Sequence, residues 1–131
     1  MAGQTDLMFD NRANASAQIK AGKVKPLAVT TAKRSQFAPE LPTMAESDAR
    51  LKDFDLDTWF GIMAPAGLSK PVLDRLHSEI VKAMATPELR ALFTRLGAEP
   101  GGNTPQEFAA FIERERTKYA RIVKLSGAKV D

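Results

Sequence analysis

The chain has 131 residues, 44% of them hydrophobic and 27% charged, with a formal charge of +3 and no cysteine. These values fit one ordinary globular domain of about 100–150 residues and exclude intrinsic disorder, a disulfide framework, a thiolate nucleophile and a cysteine metal site. No run approaches the roughly 18 apolar residues of a membrane helix. The opening Met-Ala-Gly-Gln-Thr-Asp lacks the basic segment and apolar core of a signal peptide, so a chain that starts at Met1 is expected to stay cytoplasmic.

Leu7-Met8-Phe9 is a short apolar run that ends on Asp10-Asn11. A small-residue stretch from Ala13 to Ala21 follows as a helix, with Ile19 on its buriable face. Gly22 stands where a left-handed C-terminal residue belongs. Leu27-Ala28-Val29-Thr30 then reads as a buried strand. Strand, helix and strand make a βαβ unit, whose parallel pair is covered on both faces and joined by a right-handed crossover. Between Ser35 and Asp57, Pro39 and Pro42 exclude regular helix. Thr43-Met44-Ala45-Glu46 opens a short helix there with a capping box. Phe54, Leu56, Trp59 and Phe60 lead into another strand-like run ending at Met63, before Ala64-Pro65-Ala66-Gly67.

The last half is predicted helical. Ser69 is an N-cap candidate with Pro71 in the first turn, and Leu73, Leu76, Ile80 and Met84 follow at helical spacing. Thr86-Pro87-Glu88 opens a second helix carrying Leu89, Leu92, Phe93 and Leu96, closed by Gly97. Thr104-Pro105-Gln106-Glu107 opens a third under the same capping rules, with Phe108, Phe111, Ile112, Tyr119, Ile122 and Val123 as its inner stripe. About three strands in two groups fall short of the five or six in an average sheet. Their open edges invite pairing with a second copy or another chain, which leaves a non-catalytic interaction fragment, self-associating or completed by a partner, as an alternative reading.

Few residues could carry chemistry. His77, the single histidine, lies beside the stripe of its helix with no nucleophile in register, which makes it a surface residue. Asp53, Asp55 and Asp57 alternate with Phe54 and Leu56 as a solvent-facing edge. They lack the glycine and distal glutamate of a calcium loop, so no metal site is expected. Gly101-Gly102-Asn103-Thr104 has no phosphate-loop lysine and reads as a turn feeding an N-cap. Glu113, Arg114, Glu115, Arg116 and Lys118 form a charged outer face, with Glu115 preceding Tyr119 on the inner boundary. Lys20, Lys23, Lys25, Lys33 and Arg34 make a basic cluster without the aromatic or glycine elements of a nucleic-acid reader, so no nucleic acid is expected. The cluster can still raise the local potential for an anion. Asp10 and Asn11 differ in position, because they follow an apolar run and precede a helix, where open α/β sheets bind ligands. Asn11 can be a plain cap and Asp10 a turn residue, or the pair can border a carboxylate drawn to the helix amides.

With those residues in view, Asp6-Leu7-Met8-Phe9-Asp10-Asn11, Ile19-Lys20-Ala21-Gly22-Lys23, Leu27-Ala28-Val29-Thr30, Lys33-Arg34 and Leu41-Pro42-Thr43-Met44-Ala45-Glu46 fall in a recognisable order. Trp59-Phe60-Gly61-Ile62-Met63-Ala64-Pro65-Ala66-Gly67, Leu96-Gly97-Ala98-Glu99-Pro100 and Pro105-Gln106-Glu107-Phe108 continue it. The chain resembles the C-terminal portion of a Bug-type (TctC-like) receptor of tripartite tricarboxylate transporters. The resemblance implies an α/β chain that is part of a two-lobed, type II-like periplasmic-binding-protein fold with the N-terminal lobe elements missing. It places residues 1–50, with the βαβ unit, in the second lobe, 51–58 in the crossing, and 59–131, a return strand and three helices, in the first lobe. It further implies a periplasmic, non-enzymatic receptor without cofactor or metal. Such a receptor captures a small carboxylate between its lobes, with Phe9, Asp10 and Asn11 on the cleft wall, and passes it to membrane permease subunits.

Overall fold

The computed structural model describes residues 4–129. The residues 1–3, on which part of the export expectation rests, lie outside that range. In chain order the described residues form α1 (Arg12–Lys20), α2 (Met44–Ser47), a 3-10 turn (Ala49–Leu51), α3 (Lys70–Met84), α4 (Pro87–Leu96) and α5 (Pro105–Ser126). Two compact units result: one takes the residues up to Ala64 together with Ala91–Glu99, the other Pro65–Arg90 together with Pro100 onward.

The first unit is organised by caps and turns. α1 ends as its sequence predicts: Gly22 adopts φ 67°, Lys23 N–H donates to the Gln18 carbonyl at 2.9 Å, and Gly22 N–H donates to Ile19 at 2.9 Å. That pair of bonds satisfies two carbonyls the helix end leaves open. Thr43 is the unit's tightest point, 3% exposed. Its hydroxyl accepts from Glu46 N–H at 3.1 Å, and its own N–H donates to Glu46 Oε2 at 2.7 Å, closing the predicted capping box. Arg34 joins from outside, its Nε 2.9 Å from Glu46 Oε2 and its Nη1 donating to the Pro39 carbonyl. The Thr43 amide, then the Arg34 guanidinium, hold the Glu46 carboxyl below its ordinary range. Arg34 is therefore a loop clamp as well as a member of the basic cluster.

No strand ladder forms among the described residues. The apolar runs at 7–9 and 59–63 carry no strand, and the run at 27–30 contributes one isolated parallel bridge, Val29 with Thr43. Val29 N–H donates to the Pro42 carbonyl and Met44 N–H to the Val29 carbonyl, each at 2.9 Å, and Leu56 N–H reaches the Thr30 carbonyl at 2.8 Å. The expected parallel partnership of 7–9 with 27–30 is absent there. A strand persists only while a neighbour takes its amides and carbonyls, and two such short runs supply too few pairings.

The second unit is helical. Ser69 occupies the N-cap of α3 without a side-chain capping bond, while Pro71 sits in the first turn as predicted. The face of α3 turned from solvent runs through Leu73, His77, Ile80, Val81 and Met84, leaving Leu76 half exposed. His77 thus lies on the stripe rather than beside it. On α5 the stripe runs through Phe108, Phe111, Ile112, Glu115, Lys118 and Ile122, with Tyr119 and Val123 turned further out than their apolar character predicts. The Phe108 and Phe111 rings stack with centroids 6.1 Å apart.

The α5 cap is a complete capping box. Thr104 hydroxyl accepts from Glu107 N–H at 3.2 Å, and Thr104 N–H donates to Glu107 Oε2 at 2.8 Å. The Thr104 amide and hydroxyl, with a smaller pull from His77, lower the Glu107 carboxyl from its ordinary range. A depressed carboxyl contributes its stabilisation above the unfolded-chain value and loses it as pH falls through the lower folded value. Acidifying from pH 5 to pH 3 is therefore expected to fray the first turn of α5. Thr104→Ala should cost about 0.5–2 kcal/mol at neutral pH and weaken that acid transition. Circular dichroism titrations of the two proteins read both effects, and identical acid curves would refute the cap's role.

Candidate functional site

The loop before α1 carries Phe9, Asp10 and Asn11, all exposed, Phe9 at 65%. Asn11 is the N-cap residue by position (φ −70°, ψ 139°), yet its side chain makes no capping bond. Its carbonyl takes the Asn14 and Ala15 amides at 3.0 Å each. Asp10 supplies the local side-chain acceptor: its Oδ1 accepts from Asn11 N–H at 2.8 Å and from Asn14 Nδ2 at 3.2 Å. The two roles read from the sequence are thus divided differently, because Asp10 reaches the Asn11 amide from one residue upstream and fixes the turn. The amides of Arg12 and Ala13 have no acceptor among the described residues, as the first amides of a helix require of their surroundings. The Asn11 carboxamide makes no capping bond.

Arg12 has no motif and was not legible as a site neighbour. Its guanidinium carbon lies 5.0 Å from the centre of the Phe37 ring. It also rests on Gly97, where an added Cβ would come within 1.7 Å of Arg12 Nη1. One residue from Phe37, Gln36 Nε2 donates to Glu99 Oε1 at 3.0 Å. The single sequence clue is a cation in a helix's first turn, where the macrodipole disfavours it.

The other candidates do structural work. His77 Nε2 lies 3.0 Å from the Asn103 carbonyl and ties α3 to the turn before α5. Gly101 and Gly102 belong to that turn. Asp55 Oδ1 accepts from Ala32 N–H at 3.1 Å. Among the described residues no three His, Asp or Glu side chains gather as a metal site would need, and no helix is long and apolar enough to cross a membrane. A cavity of about 130 Å³ between Val81, Met84, Arg90 and Pro100 is smaller than the roughly 300–1,000 Å³ of small-molecule pockets.

Comparison with known proteins gives the chain its context. The structure of the periplasmic binding protein BugD superposes with a TM-score of 0.73 at 36% identity, covering 88% of this chain and 38% of BugD. The Rpa4515 protein of R. palustris, solved with adipate, superposes at 0.75 with 31% identity, covering 90% of this chain and 39% of its own. The fold is thus that of one portion of a periplasmic binding protein. A protein from the tcbD-tcbE intergenic region of Pseudomonas sp. (strain P51) is 34% identical over 123 residues. Residues 1–128 match the tripartite tricarboxylate transporter family receptor, TctC, and the chain belongs to that family of receptors. It spans 36% of the length of the Pseudomonas protein, and 38% and 39% of the two solved chains.

Proposed function

We propose that this chain acts as a solute-binding receptor of a tripartite tricarboxylate-type transporter in the periplasm. It holds a small carboxylate between two lobes and presents it to the permease subunits. Residues 1–50 belong to the second lobe, 51–58 to the crossing and 59–131 to the first lobe. Phe9, Asp10 and Asn11 border the ligand. The observation that carries this reading is the likeness to Rpa4515, a protein solved with adipate, joined to membership of the receptor family.

Local chemistry supports it. A carboxylate oxygen suits the Arg12 and Ala13 amides at the positive end of α1, with the Asn11 carboxamide as a third donor. Asp10 is itself negative, so it selects against excess charge at that spot or pairs with an amino group on the ligand. A thermal-shift screen of adipate, succinate, citrate and glutamate tests the function. A ligand at a hundred times its dissociation constant should add about 2.7 kcal/mol of apparent stability. No shift with any of the four at high concentration would sink the reading for this chain. With a binder in hand, Asn11→Ala should weaken it about tenfold, the cost of a charge-assisted bond. Asp10→Asn should leave a purely anionic ligand bound as well or better, and should weaken glutamate.

A further inference from the structure

We infer that Arg12 is a positioning residue for the Phe9–Asn11 loop, anchoring it to the C-terminal end of α4 through Phe37 and the bare backbone of Gly97; the inference rests on that loop's being the ligand wall. Arg12 opens α1, and a positive charge there opposes the helix dipole, so α1 gains no local stabilisation from it. Its side chain instead reaches two segments distant in sequence. The guanidinium lies 5.0 Å from the Phe37 ring centre, within the range of a cation–π contact. Along Gly97 the fit involves more than the tip: a Cβ there would fall 1.7 Å from Nη1, 2.7 Å from Cζ and 2.8 Å from Cδ. Glycine is required for that approach.

Gly97 follows the last residue of α4 with φ 66°. Its N–H donates to the Thr94 carbonyl and the Ala98 N–H to the Phe93 carbonyl, both at 3.0 Å. The guanidinium therefore rests at the negative end of α4, where a cation is favoured. The Gln36–Glu99 bond ties the same two segments beside it. One residue upstream of this anchor stands Asn11, and the Arg12 amide is itself one of the donors offered to a carboxylate. Holding the side chain against Phe37 and Gly97 keeps it out of the space before those donors and fixes the direction in which they point. Arg12 is exposed and each contact is modest, so its loss lowers the fraction of molecules with a correctly set loop rather than unfolding the chain.

The test uses the full chain with Arg12→Ala and Arg12→Lys, reading adipate affinity by calorimetry and amide exchange over residues 9–15 without ligand. Arg12→Ala should weaken adipate about two- to fivefold and speed exchange over that window, with an unchanged circular dichroism spectrum. Lysine keeps a cation at the α4 end and should recover most of the loss in both readouts. Wild-type affinity and wild-type exchange in Arg12→Ala would overturn the proposal, as would a lysine variant no better than alanine. Should the wild-type chain not bind adipate, the receptor reading fails for that ligand and exchange alone decides. Faster exchange in Arg12→Ala, reversed by lysine, then upholds the anchor, and unchanged exchange rejects it.

Discussion

The Gly97→Ala variant is expected to lose about 1.5–3 kcal/mol of unfolding free energy, from two separate causes. The backbone there holds φ 66°, and an L-residue in the left-handed region costs about 1–2 kcal/mol. The new methyl would also occupy the place of the Arg12 side chain from Cδ to Nη1. Arg12 is long and exposed, so it swings away without dragging backbone, and the loss there is the cation–π contact with Phe37, about 0.5–1 kcal/mol. Urea denaturation should show a lower midpoint with an unchanged slope, the signature of altered stability alone. Gly102→Ala is the control, since nothing lies within 4 Å of its added Cβ and its φ is not positive; it should stay within about 0.5 kcal/mol of wild type. Equal effects of the two substitutions would refute the account. In an Arg12→Ala background the cost of Gly97→Ala should shrink to its backbone part, because the two residues share one contact.

A second large effect is expected in α5, with opposite outcomes for two partners of one ion pair. Glu115 is 8% exposed, and its Oε1 accepts from Lys118 Nζ at 2.7 Å. Its Oε2 has no hydrogen-bond partner among the described residues. Lys118 also lies 5.9 Å from the Tyr119 ring centre. Removing the lysine strands a carboxylate that has already lost most of its water, and Lys118→Ala should cost about 2–3 kcal/mol, toward the low end for a broken buried pair because the lysine keeps some solvent. Glu115→Leu removes the charge and its unsatisfied oxygen together. The leucine joins a stripe of Phe108, Phe111, Ile112 and Ile122, so that variant should be neutral or more stable than wild type. Chemical denaturation of both, beside the double variant, reads the difference. A Glu115→Leu protein as damaged as Lys118→Ala would show that the pair earns its place in the helix.

The helices were legible because their signals are local. Thr43 with Glu46 and Thr104 with Glu107 form capping boxes from four consecutive residues, and both closed as their spacing predicts. Gly22 and Gly97 took positive φ at the helix ends assigned to them. Ser69 matched in position and made no side-chain bond, since an N-cap residue can be supplied by backbone geometry alone. The runs at 7–9 and 27–30 read as a parallel pair that the structure does not form, because an apolar run records a tendency to be buried and not the identity of its neighbour. Leu27–Thr30 found only the single bridge to Thr43. The stripe of α5 was also misplaced: periodicity counts apolar residues, and two charged side chains that neutralise each other occupy the inner face where Tyr119 was expected. At the candidate loop, Asn11 was legible as a cap position and Asp10 as a turn residue. Arg12 was not, since its partners lie 25 and 85 positions further along the chain and no local pattern encodes them. The family resemblance was the most portable signal, since ordered short motifs survive where pairings do not.

The run from Trp59 to Ala64 has one more consequence, for the chain's life in a crowded solution. Phe60 is 90% exposed, Ile62 70% and Met63 64%, and residues 58–64 contain neither a charge nor a proline. Charged residues and prolines are the gatekeepers that keep such windows from stacking into cross-β seeds, and here they stand only at the flanks, Asp57 before the window and Pro65 after it. To a chaperone or a quality-control protease, a bare strip of this kind looks like a polypeptide still in the act of folding. In a preparation of these 131 residues, association at high concentration is expected to start in those seven residues rather than in the well-capped helices that follow them.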